Sequence, residues 1–187
     1  MRFRQATFCL TCLAICVLFD SSGATTVVRF EFDSLCMKAE SIVYVRCVQT
    51  KSFRDNDRIV TQSRFEVIEH VKGIKDTEVV LTLPGGQVEE GRLHIPGIPR
   101  FKPGETLVLF LSKPDVFGSP WPMGLGQGCY RALEETHEDA SILLHSGLTP
   151  LPSGVVSKAA AQESFKIPLR QFLSQVRSTL ELPTDRR

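Results

Sequence analysis

Four histidines are all this chain carries, and no two of them stand three or four residues apart. That spacing excludes the HxxxH and HExxH pairs that set two imidazoles on one helical face for zinc. No serine sits in a GxSxG elbow, and no glycine-rich stretch runs into Lys-Ser or Lys-Thr. Neither a hydrolase elbow nor a phosphate loop is therefore written in the chain, and no cofactor is expected. Gly85-Gly86 and Gly124–Gly128 are read as corner glycines. Also lacking is an apolar run of the about 20 residues a helix needs to cross a bilayer. The run that comes first, Ala6–Phe19, has 14 uncharged residues.

That run has the makings of an export signal. Arg2 and Arg4 precede it without an acid, and Asp20-Ser21-Ser22-Gly23-Ala24 follows with small residues placed for cleavage after Ala24. Residues 1–24 are read as a signal peptide, residues 25–182 as one domain, and 183–187 as a disordered tail. A secreted or periplasmic location follows, with no stable membrane span after cleavage. Removing Arg2, Arg4 and Asp20 from 22 basic and 21 acidic residues leaves 20 of each sign. A neutral balance without a basic cluster argues against nucleic acid or an anionic membrane as partner. The leader also takes Cys9, Cys12 and Cys16 with it. Cys36, Cys47 and Cys129 remain, which allows one disulfide among them plus a thiol, or three buried thiols.

The mature chain reads as mainly β. Thr25–Phe32 is β-prone, and Asp33-Ser34 offers a cap for a helical turn over Leu35–Ala39. Ser41–Thr50 is almost all β-branched, aromatic or Cys, the mark of a strand covered on both faces. Arg54–Arg58 makes a charged hairpin, and Ile59–Lys72 returns as a long alternating strand. Its phase slips near Ile68-Glu69, where a β-bulge is expected. Thr77–Leu83 alternates again until Pro84-Gly85-Gly86 breaks it, and Gln87–Ile95 is a weaker strand or extended loop. Pro96–Gly104 holds three prolines and two glycines in nine residues and predicts a stiff loop. Thr106–Leu111 is apolar on both faces and predicts a central strand. Lys113–Gly128 is turn-rich, Leu125–Leu133 and Ser141–Leu144 are candidate closing strands, and the acidic stretch Glu134–Asp139 lies between them. Helix is expected late, over the Ala-rich Ser157–Phe165 and from Pro168 through Leu169, Phe172, Leu173, Val176 and Leu180. Long curled strands with a bulge and a capping helix predict a small, closed or partly open barrel, with a two-sheet sandwich as alternative.

These residues carry a resemblance. Ala39-Glu40-Ser41-Ile42-Val43, Phe65-Glu66-Val67 running into Val71-Lys72-Gly73, Pro84-Gly85-Gly86, Pro99–Glu105, Leu109-Phe110-Leu111 and Gly126-Gln127-Gly128 follow one another over Leu35–Arg131. The series resembles a family of exported bacterial proteins without an assigned biochemical activity, its PxFxPGE…LFL segment being the most specific part. The first half is also similar to the OB-like five-stranded barrel of tissue inhibitors of metalloproteinases and netrin-like modules. That similarity implies an OB-like fold and a protein-binding barrel. It does not extend to zinc chelation by an N-terminal cysteine, because the expected mature residue is Thr25 and the nearest cysteine lies eleven residues on.

The candidate contact surface is Arg100, Phe101, Trp121 and Met123, placed on proline-stiffened loops that lose little entropy on docking. The competing reading folds Phe101 and Trp121 back onto the core. Glu69-His70 beside Lys72 is the nearest thing to an acid–base group, and it reads more simply as a polar strand end. His137 among Glu134, Glu135, Glu138 and Asp139 reads as a solvated acidic loop rather than a cation site. The expectation is an exported, non-catalytic binding module for another extracytoplasmic protein. Its rivals are a hydrolase whose His and Cys meet only in three dimensions, His94 or His145 with Cys129, and a structural envelope component.

Overall fold

The computed structural model describes residues 29–73, 75–116, 118–134, 140–145, 150–152 and 164–181. The leader, the first half of the first expected strand, the acidic stretch from 135, the Ala-rich run to 163 and the tail lie outside the described residues. The elements are α1 (Phe32–Lys38), β1 (Ser41–Asp55), β2 (Arg58–Lys72), β3 (Glu78–Pro84), β4 (Gly86–Val88), β5 (Gly91–Leu93), β6 (Thr106–Leu111), a 3₁₀ turn over Leu125–Gly128, β7 (Cys129–Glu134), β8 (Ala140–His145), β9 (Ser164–Pro168) and α2 (Leu169–Glu181). Seven strands form one antiparallel sheet in the order β3-β2-β1-β6-β7-β8-β9, and β4-β5 is a separate two-stranded hairpin.

The sheet is not a closed barrel, which corrects the architecture expected from the strand pattern. Its edges are β3 and β9, because β7 takes the second edge of β6 and carries the ladder outward instead of letting β3 close on it. On one side the curl is nonetheless nearly bridged. Trp121-Pro122 runs along the end of β6, with Ser112 N donating to Trp121 O at 2.8 Å, and Thr82 N on the edge of β3 donates to Ser119 Oγ at 3.1 Å.

The curl has a local cause. The β1–β2 register shifts three times, leaving Val71, Ile68 and Val48 as extra residues, and Ile68 is the bulge read from the phase slip. Each extra residue sharpens the right-handed twist. Ile68 and Val48 are displaced outward and are 47% and 44% exposed. The shift also assigns faces: Glu69 pairs opposite Tyr44 and reaches Arg177 of α2 as an ion pair.

Two apolar clusters lie on the two sides of the sheet. On one side α1 and α2 press Phe32, Leu35, Phe172, Leu173 and Val176 onto Ile42, Tyr44, Val108, Phe110 and Tyr130. Here Phe110–Tyr130 and Tyr130–Phe172 ring centroids are 5.2 and 4.7 Å apart, within the range of favourable aromatic pairs. On the other side Val43, Val45, Phe65, Leu81, Leu107 and Leu109 face a lid of loops. All six residues of β6 are buried, since both of its faces are covered.

Near the termini the sequence reading and the structure part. Phe32 opens a helix instead of ending a strand, because its ring is needed under α2, 5.8 Å from Phe172. The α1 end is fixed by Lys72 Nζ, which donates to Cys36 O and Met37 O at 3.1 and 2.8 Å and so satisfies orphan carbonyls with a cation. Leu125–Gly128 is a 3₁₀ turn, so that strand begins only at Cys129. Ser164-Phe165 belongs to β9 rather than to a helix, pairing with His145 and Leu144. The amphipathic helix begins directly after Pro168, with Phe172, Leu173 and Val176 inward.

Candidate functional site

A concavity lies on the loop-covered side, where the β1–β2 hairpin passes beneath the proline loop. It is a cleft of about 250 Å³. Its floor is a ladder of hydroxyls, because Thr50 pairs opposite Ser63 and Ser52 opposite Thr61, and directly opposed residues share a face. One wall is Leu83, Ile98 and Phe101, and Arg100 and Lys102 stand on the rim. Among the described residues no Asp or Glu lines it. Glu89 and Glu90, at the tip of the β4–β5 hairpin, border an adjoining shelf with Arg54.

Backbone geometry makes the cleft. At Gly86 φ is +147°, and a Cβ there would come within 2.5 Å of both Ser52 Oγ and Thr61 Oγ1. Only glycine lets the chain turn off β3 and cross this close to the hydroxyls. Thr61 Oγ1 donates to Gly85 O at 2.7 Å. Its single proton being committed there, Ser52 Oγ donates to Thr61 Oγ1 across 2.8 Å. Half of the ladder therefore presents lone pairs only. Thr50 and Ser63 have no such commitment among the described residues.

The proline loop is fastened at several points. Gly104 N donates to Cys47 O at 2.8 Å, Gly126 N to Gly97 O at 3.1 Å, Lys102 N to Glu105 Oε2 at 3.0 Å, and Arg131 Nη2 to Arg100 O at 2.8 Å. Phe101 is 8% exposed and meets Phe65 edge-on at 5.0 Å, so it anchors the loop and offers only the part of its ring that lines the cleft. Arg100 is exposed, and its Nη2 donates to Leu93 O at 2.8 Å and lies 3.5 Å from His94 Nδ1.

The four residues singled out from the sequence do not form one surface. Arg100 and Phe101 line the cleft. Trp121 is half-buried against the same cluster, its indole N–H donating to Asp115 Oδ2 at 3.3 Å. Met123 packs into the helix-covered cluster on the opposite side, with its N–H on Phe110 O at 2.8 Å. The hydroxyl ladder went unread because Ser and Thr on alternate strand positions resemble an ordinary wet face. Its signal was there: two such pairs fall symmetrically about the Arg54–Arg58 turn.

The three cysteines among the described residues are free and buried, Cys36 on the helix side, Cys47 and Cys129 on the loop side, which is the three-thiol arrangement of the two left open. Burial pushes the thiols of Cys36 and Cys129 from an ordinary 9.0 up to about 12, and it raises Cys47 as well. A thiol so desolvated stays protonated at neutral pH and is a poor nucleophile. His94 is exposed beside Arg100, whereas the side chain of His145 lies outside the described ones. The Glu69-His70-Lys72 group is drawn apart, with Glu69 on Arg177, Lys72 on the α1 carbonyls, and His70 Nδ1 buried without a partner among the described residues. Among the described residues there is no group of three or more metal-ligating side chains, and His137 lies outside them. Among the described residues no helix is long and apolar enough to cross a membrane.

No protein-family model, no curated protein and no solved structure matches the chain.

Proposed function

We propose that the chain is an exported, non-catalytic binding module that holds part of another extracytoplasmic protein in the cleft under the proline loop. The observation that carries this reading is a preformed, fastened cleft with a hydroxyl floor and two cations on its rim. A wall already tied down by four hydrogen bonds loses little freedom when a partner docks. Export, to the periplasm or the outside, is supported by the leader-like composition of residues 1–24. An OB-like reading is supported by the curl of β3-β2-β1-β6 around one apolar cluster, with a helix packed against the sheet.

Two measurements test the reading. The chain expressed with its leader is fractionated, and its N-terminus is sequenced. A start at Thr25 in the exported fraction is expected, and retention in the cytoplasm with residue 1 intact overturns export. The purified chain is then cross-linked within its native extracytoplasmic fraction. A discrete adduct is expected that Lys102→Glu and Arg100→Gln each weaken at unchanged melting temperature. Adducts indifferent to both substitutions would put the contact elsewhere. Fractionation with the envelope, independent of either residue, would favour a structural component.

A further inference from the structure

On the reading that the cleft holds a protein partner, we infer that what it takes is the free C-terminal residue of that partner, one with a branched apolar side chain. Three features of the lining converge on this chemistry. Arg100 and Lys102, with no acid among the described lining residues, call for an anion. The hydroxyl of Thr50 on the cleft lining can donate to the same carboxylate, with Ser63, 3% exposed, beneath it. The Ser52–Thr61 pair is different, because both protons are engaged and only lone pairs face outward. It suits an N–H donor beside the carboxylate. Leu83, Ile98 and the ring of Phe101 form the apolar wall between these polar groups. Carboxylate, neighbouring amide N–H and aliphatic side chain on one carbon together describe the last residue of a polypeptide.

Size agrees with the assignment. Ligand pockets for drug-sized molecules or cofactors run from about 300 to 1,000 Å³. A cleft of about 250 Å³ lies just below that range and has room for one residue. The shelf next to it carries Glu89 and Glu90 against the one cation Arg54, a net negative charge that disfavours a second carboxylate and so favours a single terminal anion over an acidic run.

The test uses the full chain expressed with its leader, ¹⁵N-labelled and purified as the cell delivers it, titrated with three small probes. Acetyl-glycyl-leucine has carboxylate, N–H and stem; its C-terminal amide lacks the charge; 4-methylpentanoate lacks the N–H. The free acid is expected to shift amides in residues 50–63, 85–87 and 98–102. The amide is expected to bind at least tenfold more weakly, and Lys102→Glu to weaken the acid tenfold while leaving the amide unchanged. Binding of 4-methylpentanoate as tight as the peptide acid would assign the cleft to a small carboxylic acid and overturn the C-terminus. Equal binding of acid and amide, or shifts confined to other residues, would overturn it too. If the probes fail while the cross-linked adduct still depends on Lys102, this assignment falls and the binding module stands. If both fail, the module reading falls with it.

Discussion

The two sides of the sheet are covered by different materials, and the difference decides where a ligand can go. Helices seal one side: α1 and α2 insert a run of rings and aliphatic side chains between β1, β6, β7 and β8 and leave interlocked aromatics. Loops cover the other, and a loop stiffened by proline cannot follow the sheet as a helix stripe does. It touches down at Phe101 and Ile98 and stands away over Thr50–Ser63, where the gap is lined with hydroxyls instead of methyl groups. Interlocked aromatics are concentrated on one side, and the proposed binding cleft lies on the other.

The harshest way to break this contrast is Phe172→Ala. It removes a fully buried ring from the helix side and is expected to cost about 3–5 kcal/mol in urea unfolding. Trp121, the single tryptophan, reports the loop side, whereas far-ultraviolet dichroism follows the helices. Coincident transitions in the variant would show that both sides share one cooperative unit, and separated ones that the contrast extends to unfolding.

Next in size comes alkaline pH. The thiols of Cys36 and Cys129 keep their protons up to about 12 when folded, while unfolded thiols ionise near 9.0. Between these values the native state binds more protons than the unfolded one. Stability is therefore complete below pH 9 and falls as pH rises through the window, by about 1.4 kcal/mol per pH unit for each thiol. Urea midpoints at pH 8 and pH 10 measure the loss. Cys36→Ala should flatten it from the helix side and Cys129→Ala from the loop side, and similar flattening would show that the two interiors are equally dry.

On the loop side alone, Gly86→Ala forces a side chain into a φ of +147° and onto the Ser52 and Thr61 oxygens. A loss of about 1–3 kcal/mol is expected, together with amide shifts confined to the cleft. The smallest effect belongs to the wet rim of β2–β3. Arg64 Nε and Glu78 Oε1 are 2.7 Å apart, but their side chains are 55% and 43% exposed. Arg64→Ala should cost about 0.2–1 kcal/mol, fading in high salt.

How far the sequence foretold this arrangement varied with the range of the cause. Strands β1, β2, β3 and β6 were legible because alternation and β-branching act within a few residues, and even the bulge at Ile68 showed as a slip of phase. The amphipathic stripe of α2 was equally plain. Ser164-Phe165 was misread as the end of a helix, because its place in a strand comes from β8 alongside it and not from its own composition. Barrel closure was misjudged for a similar reason: nothing local tells that β7 will occupy the edge of β6 that β3 would need. As for the cleft, Arg100 and Phe101 could be singled out through their proline loop. The hydroxyl pairs were visible about the hairpin turn, but they become a floor only when residues 85–102 are laid across them.

One consequence follows from β6 having an interior on both sides. Its amides, bonded to β1 on one edge and β7 on the other, are reached by solvent only when helices and loops have both come away. In deuterium these hydrogens should be the last to exchange, at rates set by opening of the whole molecule. The strand is the hinge pin of two compartments, and its protection clocks the moment at which they cease to be separate.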